Sequence, residues 1–150
     1  VTTSRIPAAV DALIASFTAA GLKVWDGPVV TDDFAPAVFV GYDGNPDGTF
    51  EAVTGTQDWA ALGAKRRSET FSVICAAVAL SGGTATKPGR DAVYALLDIV
   101  GTTLRADPSL GLGTPPFVAE LKPVALFTEP TSNGLQCRWV FTIDISISRV

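Results

Sequence analysis

The chain has 150 residues, 47% of them apolar and 17% charged, with a formal net charge of −4 and no histidine. That length suits one domain able to bury roughly 70% of its unfolded surface, and the composition excludes a disordered chain. Without histidine there is no Ser-His or Cys-His relay, so acid–base work would fall to carboxylates or lysine, and no carboxylate pair stands out.

In chain order, Ser4 is placed to cap a helix in which Val10, Leu13, Ile14 and Phe17 recur on one stripe before Gly21 ends it. Residues 22–25 read as a brief strand closed by the turn Asp26-Gly27-Pro28, and residues 37–41 as a buried one. A loop from Asp43 to Gly48 leads to a loosely alternating strand over 50–58, and residues 59–64 link it to a long strand over 66–80. In the first half of that strand Arg67, Glu69, Phe71, Val73 and Cys75 fall on one face, with Arg66, Ser68, Thr70, Ser72 and Ile74 on the other. From Ile74 onward both faces are apolar. Such a strand, half solvated at one end, is expected to project from the core towards another chain.

Ser81-Gly82-Gly83 breaks the long strand, Pro88 suits a first helical turn, and Val93, Leu96, Leu97, Val100 and Leu104 form the stripe of a second helix that Asp107-Pro108 stops. Strands over 117–127 and 135–148 flank Thr131-Ser132-Asn133-Gly134, where Asn-Gly signals a hairpin turn. Leu135, Cys137, Trp139, Phe141, Ile143, Ile145 and Ile147 share one face of the last strand; Gln136, Arg138, Thr142, Asp144, Ser146 and Ser148 share the other. The expected fold is α+β, one domain over 1–150: two layers, a mostly antiparallel sheet with two amphipathic helices packed on one face.

Charge is unevenly placed. Between residues 26 and 64 lie seven acids (Asp26, Asp32, Asp33, Asp43, Asp47, Glu51 and Asp58) and no Lys or Arg, so that stretch carries −7 and the remainder +3. It will not hold nucleic acid phosphates. The basic cluster Lys65, Arg66 and Arg67 reads as a solvated strand end or an inter-subunit ion-pair site, too small a footprint for duplex binding. Cys75 and Cys137 sit among apolar neighbours and are expected as buried free thiols, without the further ligands zinc needs. The loop from Asp43 to Gly48 matches the first half of a calcium-binding loop, D-x-N-x-D-G, but Thr54 stands at the twelfth position, so a solvated turn is the stronger reading. Ser81-Gly82-Gly83-Thr84 before Lys87 lacks the phosphate-loop pattern and reads as a strand-to-helix turn. Trp139 is placed in the core, while Trp59 is either a buried local anchor or a subunit-interface anchor. No apolar run approaches the roughly 18 residues of a spanning helix and the N-terminus lacks a signal-peptide layout, so a soluble, cytosolic chain is expected.

The succession VFVGYDGNPDG from Val38, TQDWAALGAKRRSETF from Thr56 and GRDAVYALLDIV from Gly89, then LRADPSLG, resembles the tail terminator proteins of long-tailed actinobacterial phages. The resemblance implies a small α+β protein that forms a homo-oligomeric ring, a hexamer, at the head-proximal end of the tail tube. There it ends tube polymerisation and joins the tail to the head-completion or connector protein. It implies a virion protein assembled in the host cytoplasm, with copies of itself, the tail-tube protein and the connector as partners, no cofactor, no membrane, no enzymatic activity, and DNA passing through without specific binding. Trp59, Lys65, Arg66, Arg67 and Glu69 are the candidate subunit-interface residues. Asp32, Asp33, Asp43, Asp47, Glu51 and Asp58 form a candidate acidic loop facing a partner or the lumen. A head-to-tail connector or a tail-tube subunit is the alternative within the same class; a calcium- or ligand-binding module is the alternative outside it.

Overall fold

The computed structural model describes residues 3–29, 36–59, 67–113, 117–132 and 134–148. Helix α1 (Ile6–Ala19) begins where the Ser4 hydroxyl accepts the Ile6 N–H at 3.1 Å, with proline in its first turn, and it buries Ala9, Leu13 and Phe17. Gly21 follows it at φ +91°, letting the Leu22 N–H return to the Phe17 carbonyl at 3.1 Å. The strands are β1 (Val24–Asp26), β2 (Ala37–Val40), β3 (Val53–Trp59), β4 (Arg67–Ser81), β5 (Phe117–Thr131) and β6 (Gly134–Ser148), with helix α2 (Thr86–Ala106) between β4 and β5.

They form one six-stranded sheet in the order β1-β2-β4-β6-β5, with β3 also paired to β4. Only the β1–β2 pair is parallel. Both helices lie on one face, where Leu13, Phe17, Val93, Leu97, Val100 and Leu104 pack against Phe71, Val73, Cys75, Phe141, Ile143 and Ile145. This is the two-layer α+β arrangement that the apolar stripes imply.

The long strand does not project. It is paired along its length with β6, from Ser68↔Ser148 to Ser81↔Leu135. Its other edge is shared end to end by β3, opposite Arg67–Val73, and β2, opposite Cys75–Val78. A fifteen-residue strand offers more edge than either short strand covers, so two of them satisfy its backbone in series. The run from Cys75 to Ala79 is buried on both faces because Phe39, Tyr42, Ala76 and Val78, with Trp25 and Val29, build a second small core on the side away from the helices.

The hairpin pairs Thr131 with Gly134, and Gly134 opens β6. At φ +111°, Gly134 has its backbone against the Ser81 carbonyl, where no Cβ fits. Gly89 likewise lets α2 lie flush on β6: a Cβ there would stand 2.9 Å from Cys137 Sγ.

Candidate interaction surfaces

Glu69, expected at a subunit interface, is a correction: it is 1% exposed inside the subunit. Its strand face is the helix-side face, and the start of α1 caps it. Glu69 Oε1 accepts the Ser4 hydroxyl at 2.9 Å and the Arg5 N–H at 3.0 Å, while Oε2 accepts from Gln57 Nε2. A carboxylate at the first turn of a helix also meets the positive end of its dipole. Gln57 donates as well to the Thr3 carbonyl at 2.8 Å, and its Oε1 accepts Arg67 Nη1 at 3.0 Å.

That chain of hydrogen bonds ends in the open. Arg67 pairs across the ladder with Trp59, its guanidinium 5.5 Å from the indole centroid, and Trp59 remains 67% exposed. Of the two readings of this tryptophan, burial as a local anchor is therefore wrong. Lys65 and Arg66 lie outside the described residues.

The candidate acids do not form one cluster. Asp32 and Asp33 lie outside the described residues; Asp47, Glu51 and Asp58 are exposed, and Asp58 stands at the far end of β3 from the loop. Asp43 Oδ1 accepts the Asn45 N–H at 2.9 Å and Asn45 Oδ1 accepts the Asp47 N–H at 3.0 Å, two successive turns that use side-chain oxygens to fix the loop. Among the described residues no group of three or more His, Cys, Asp or Glu side chains is arranged to hold a metal ion.

Arg138 falls on the expected polar face of β6 yet is 4% exposed. The Asp43 loop covers it: Nη1 donates to the Asp43 carbonyl at 2.8 Å, Nη2 pairs with Glu129 at 2.7 Å, and the guanidinium lies 4.4 Å from the Phe127 ring centroid. Gly44 permits that closure, since a Cβ there would stand 2.6 Å from Arg138 Cδ. Alternation within β6 could not reveal this, because the cover comes from a loop far away in sequence. Trp139, expected as core, is only half-buried, tilted against Tyr94 of α2 at 5.5 Å between ring centroids.

Beyond the Arg138 cover, the helix-free face is open and dense in hydroxyls. Register places Thr54, Thr56 and Asp58 of β3, Ser68, Thr70 and Ser72 of β4, and Thr142, Asp144 and Ser146 of β6 side by side. Asp144 accepts from Ser72 Oγ at 2.6 Å and Thr142 Oγ1 at 3.2 Å. On β5, Glu120 and Lys122 lie 3.4 Å apart on the same side, so among the described residues there three carboxylates, Asp58, Glu120 and Asp144, stand against one ammonium.

The helix side has a concavity at the opposite edge. The last turns of α2 and the first half of β5 form a half-open cleft of about 420 Å³ whose lining includes Gly101, Leu104, Arg105, Ala119, Glu120 and Leu121. Gly101 opens it, since a side chain there would grow towards Arg105 and Leu121. The two thiols are elsewhere: Cys75 and Cys137 are free and buried, and burial pushes the Cys75 thiol up to about 12.

No protein-family model and no curated protein matches this chain. No helix among the described residues is long and apolar enough to cross a membrane.

Proposed function

We propose that this chain is a structural assembly protein of a phage tail, closing a ring at the head-proximal end of the tail tube, ending tube growth and carrying the tail to the head-completion protein. The resemblance in the segments from Val38, Thr56 and Gly89 supports the class; those segments are β2 with its loop, the β3-to-β4 region, and α2.

The observation that carries the reading is the open half of the sheet. Among the described residues, this surface of Thr and Ser, with exposed Asp58 and Glu120 and half-buried Asp144 against Lys122, offers phosphate neither a cationic groove nor an aromatic platform. DNA passes such a wall without being held. The two edges of the sheet also differ, one ending in an exposed tryptophan and the other in a cleft, as a head-to-tail ring requires. In this reading the partners are copies of the chain, the tail-tube protein and the connector, the place is the virion tail, and no molecule is chemically transformed.

Negative-stain electron microscopy of the purified protein tests it. Closed rings of uniform diameter are expected. Open filaments would instead make the chain a tail-tube subunit, and dispersed particles at every concentration would contradict ring formation.

A further inference from the structure

Trp59 is the most exposed large apolar side chain among the described residues, and it stands at the end of an edge strand next to Asp58, whose carboxylate has no ion-pair partner among those residues. The cleft under α2 lies at the opposite edge of the sheet but on the same, helix-bearing side as Trp59. Arg105 lines it and supplies a cation for an indole face. On the helix-free side of that same edge stands Lys122, half-exposed and already 3.4 Å from Glu120, so an incoming carboxylate would share its ammonium, while Asp58 occupies the helix-free side of β3.

One stagger serves both contacts. Through Ser68, Asp58 is level with Ser148, one place short of the Phe117↔Ile147 pair, and Lys122 lies five places beyond that pair. Sliding the neighbour by six residues, about 20 Å at 3.3 Å per residue, sets Asp58 level with Lys122 and Trp59 level with Leu121 in the cleft. Six is even, so both sides of the sheet keep their facing. The two edges also run antiparallel, as β3 and β5 do within one sheet.

We propose that the occupant of the α2–β5 cleft is Trp59 of a second copy of this chain, with Asp58 of that copy paired to Lys122. The contact rests on the ring reading above and names its interface. It joins unlike surfaces on opposite edges, so every copy both gives a tryptophan and receives one, which generates a ring or an open fibre and never an isologous dimer. Arg67, held over Trp59 by Gln57, keeps the indole at the strand end before docking.

Sedimentation velocity at low salt on the full chain tests this with surface variants. W59A is expected to weaken association by roughly thirtyfold or more, as for an interface hot spot. D58K and K122D each place like charges together and lower association by about tenfold, and the double variant D58K/K122D restores it. Wild-type rings accompanied by a W59A variant that assembles equally well would overturn this contact while leaving the ring reading intact. Additive losses in the charge-swapped double variant would do the same. A wild-type chain that stays monomeric throughout would overturn both.

Discussion

Cys75 shows how much one buried group governs. Its thiol is wholly buried in the main core, and burial, opposed in part by the Gly41 backbone N–H, raises its pKa from 9.0 to about 12. In the unfolded chain the thiol ionises from pH 9, whereas in the native one it stays neutral. Stability is therefore full below pH 9 and lost as pH rises towards 12, by about 4 kcal/mol over the whole window at about 1.4 kcal/mol per pH unit. Tyr42, raised from 10.0 by burial and then by Asp43, adds loss in the same direction above pH 10. Urea unfolding between pH 8 and 11 should show wild-type stability falling from pH 9, with Cys75→Ala nearly flat until pH 10. An identical decline in both proteins would mean that the thiol does not stay neutral in the native state.

Residue-scale environments were only partly legible in the sequence. The burial of Cys75 follows from alternation and apolar neighbours. Glu69 shares that alternating face, yet the expectation was a place at a subunit interface; what buries it is the start of α1, supplying the Ser4 hydroxyl and Arg5 N–H from 65 and 64 residues away. Arg138 was hidden for the same reason, its cover being a loop whose approach depends on Gly44. Long-range partners of this kind leave no local period to read.

Elements were more legible, because helix stripes and strand alternation are local properties. The stripe Val93, Leu97, Val100 and Leu104 fixed the buried side of α2 before any contact was known. Its close seating on β6 depends on something subtler, the missing side chain at Gly89. Gly89→Ala should gain about 1 kcal/mol in helix propensity yet be destabilised overall by about 1–2 kcal/mol, because its methyl meets Cys137 Sγ. Adding Cys137→Ala should recover most of that loss, a coupling of about 1 kcal/mol or more between the two sites by urea midpoints. Simple additivity would mean that α2 is not held against β6 at this point.

The long strand is the element whose pattern misled. Its polar half suggested a projection towards another chain, when β3 and β6 flank it within the subunit. The polar alternation was real and marks the open, hydroxyl-lined side of the sheet. β5 is the edge that stays long, and it carries the usual protections against indiscriminate pairing: Pro123, a register shift between Pro123 and Ala125, and the charged Glu120 and Lys122. An edge so guarded suits a specific, staggered neighbour better than open-ended strand addition.

At the scale of the whole molecule, the proposed function asks an acidic chain with two unlike edges, a centre buried on both sides and a polar sheet face to hold copies of itself around a passage for DNA. The α+β class could be read from the sequence; the cleft, the exposed Trp59 and their common stagger needed the register of all the strands together. The central claim is that this protein ends and joins phage tails. Electron microscopy of particles assembled in cells lacking this chain tests it most directly. The account predicts filled heads lying apart from tail tubes of widely scattered, excessive length. Virions with tails of normal length joined to their heads would contradict it.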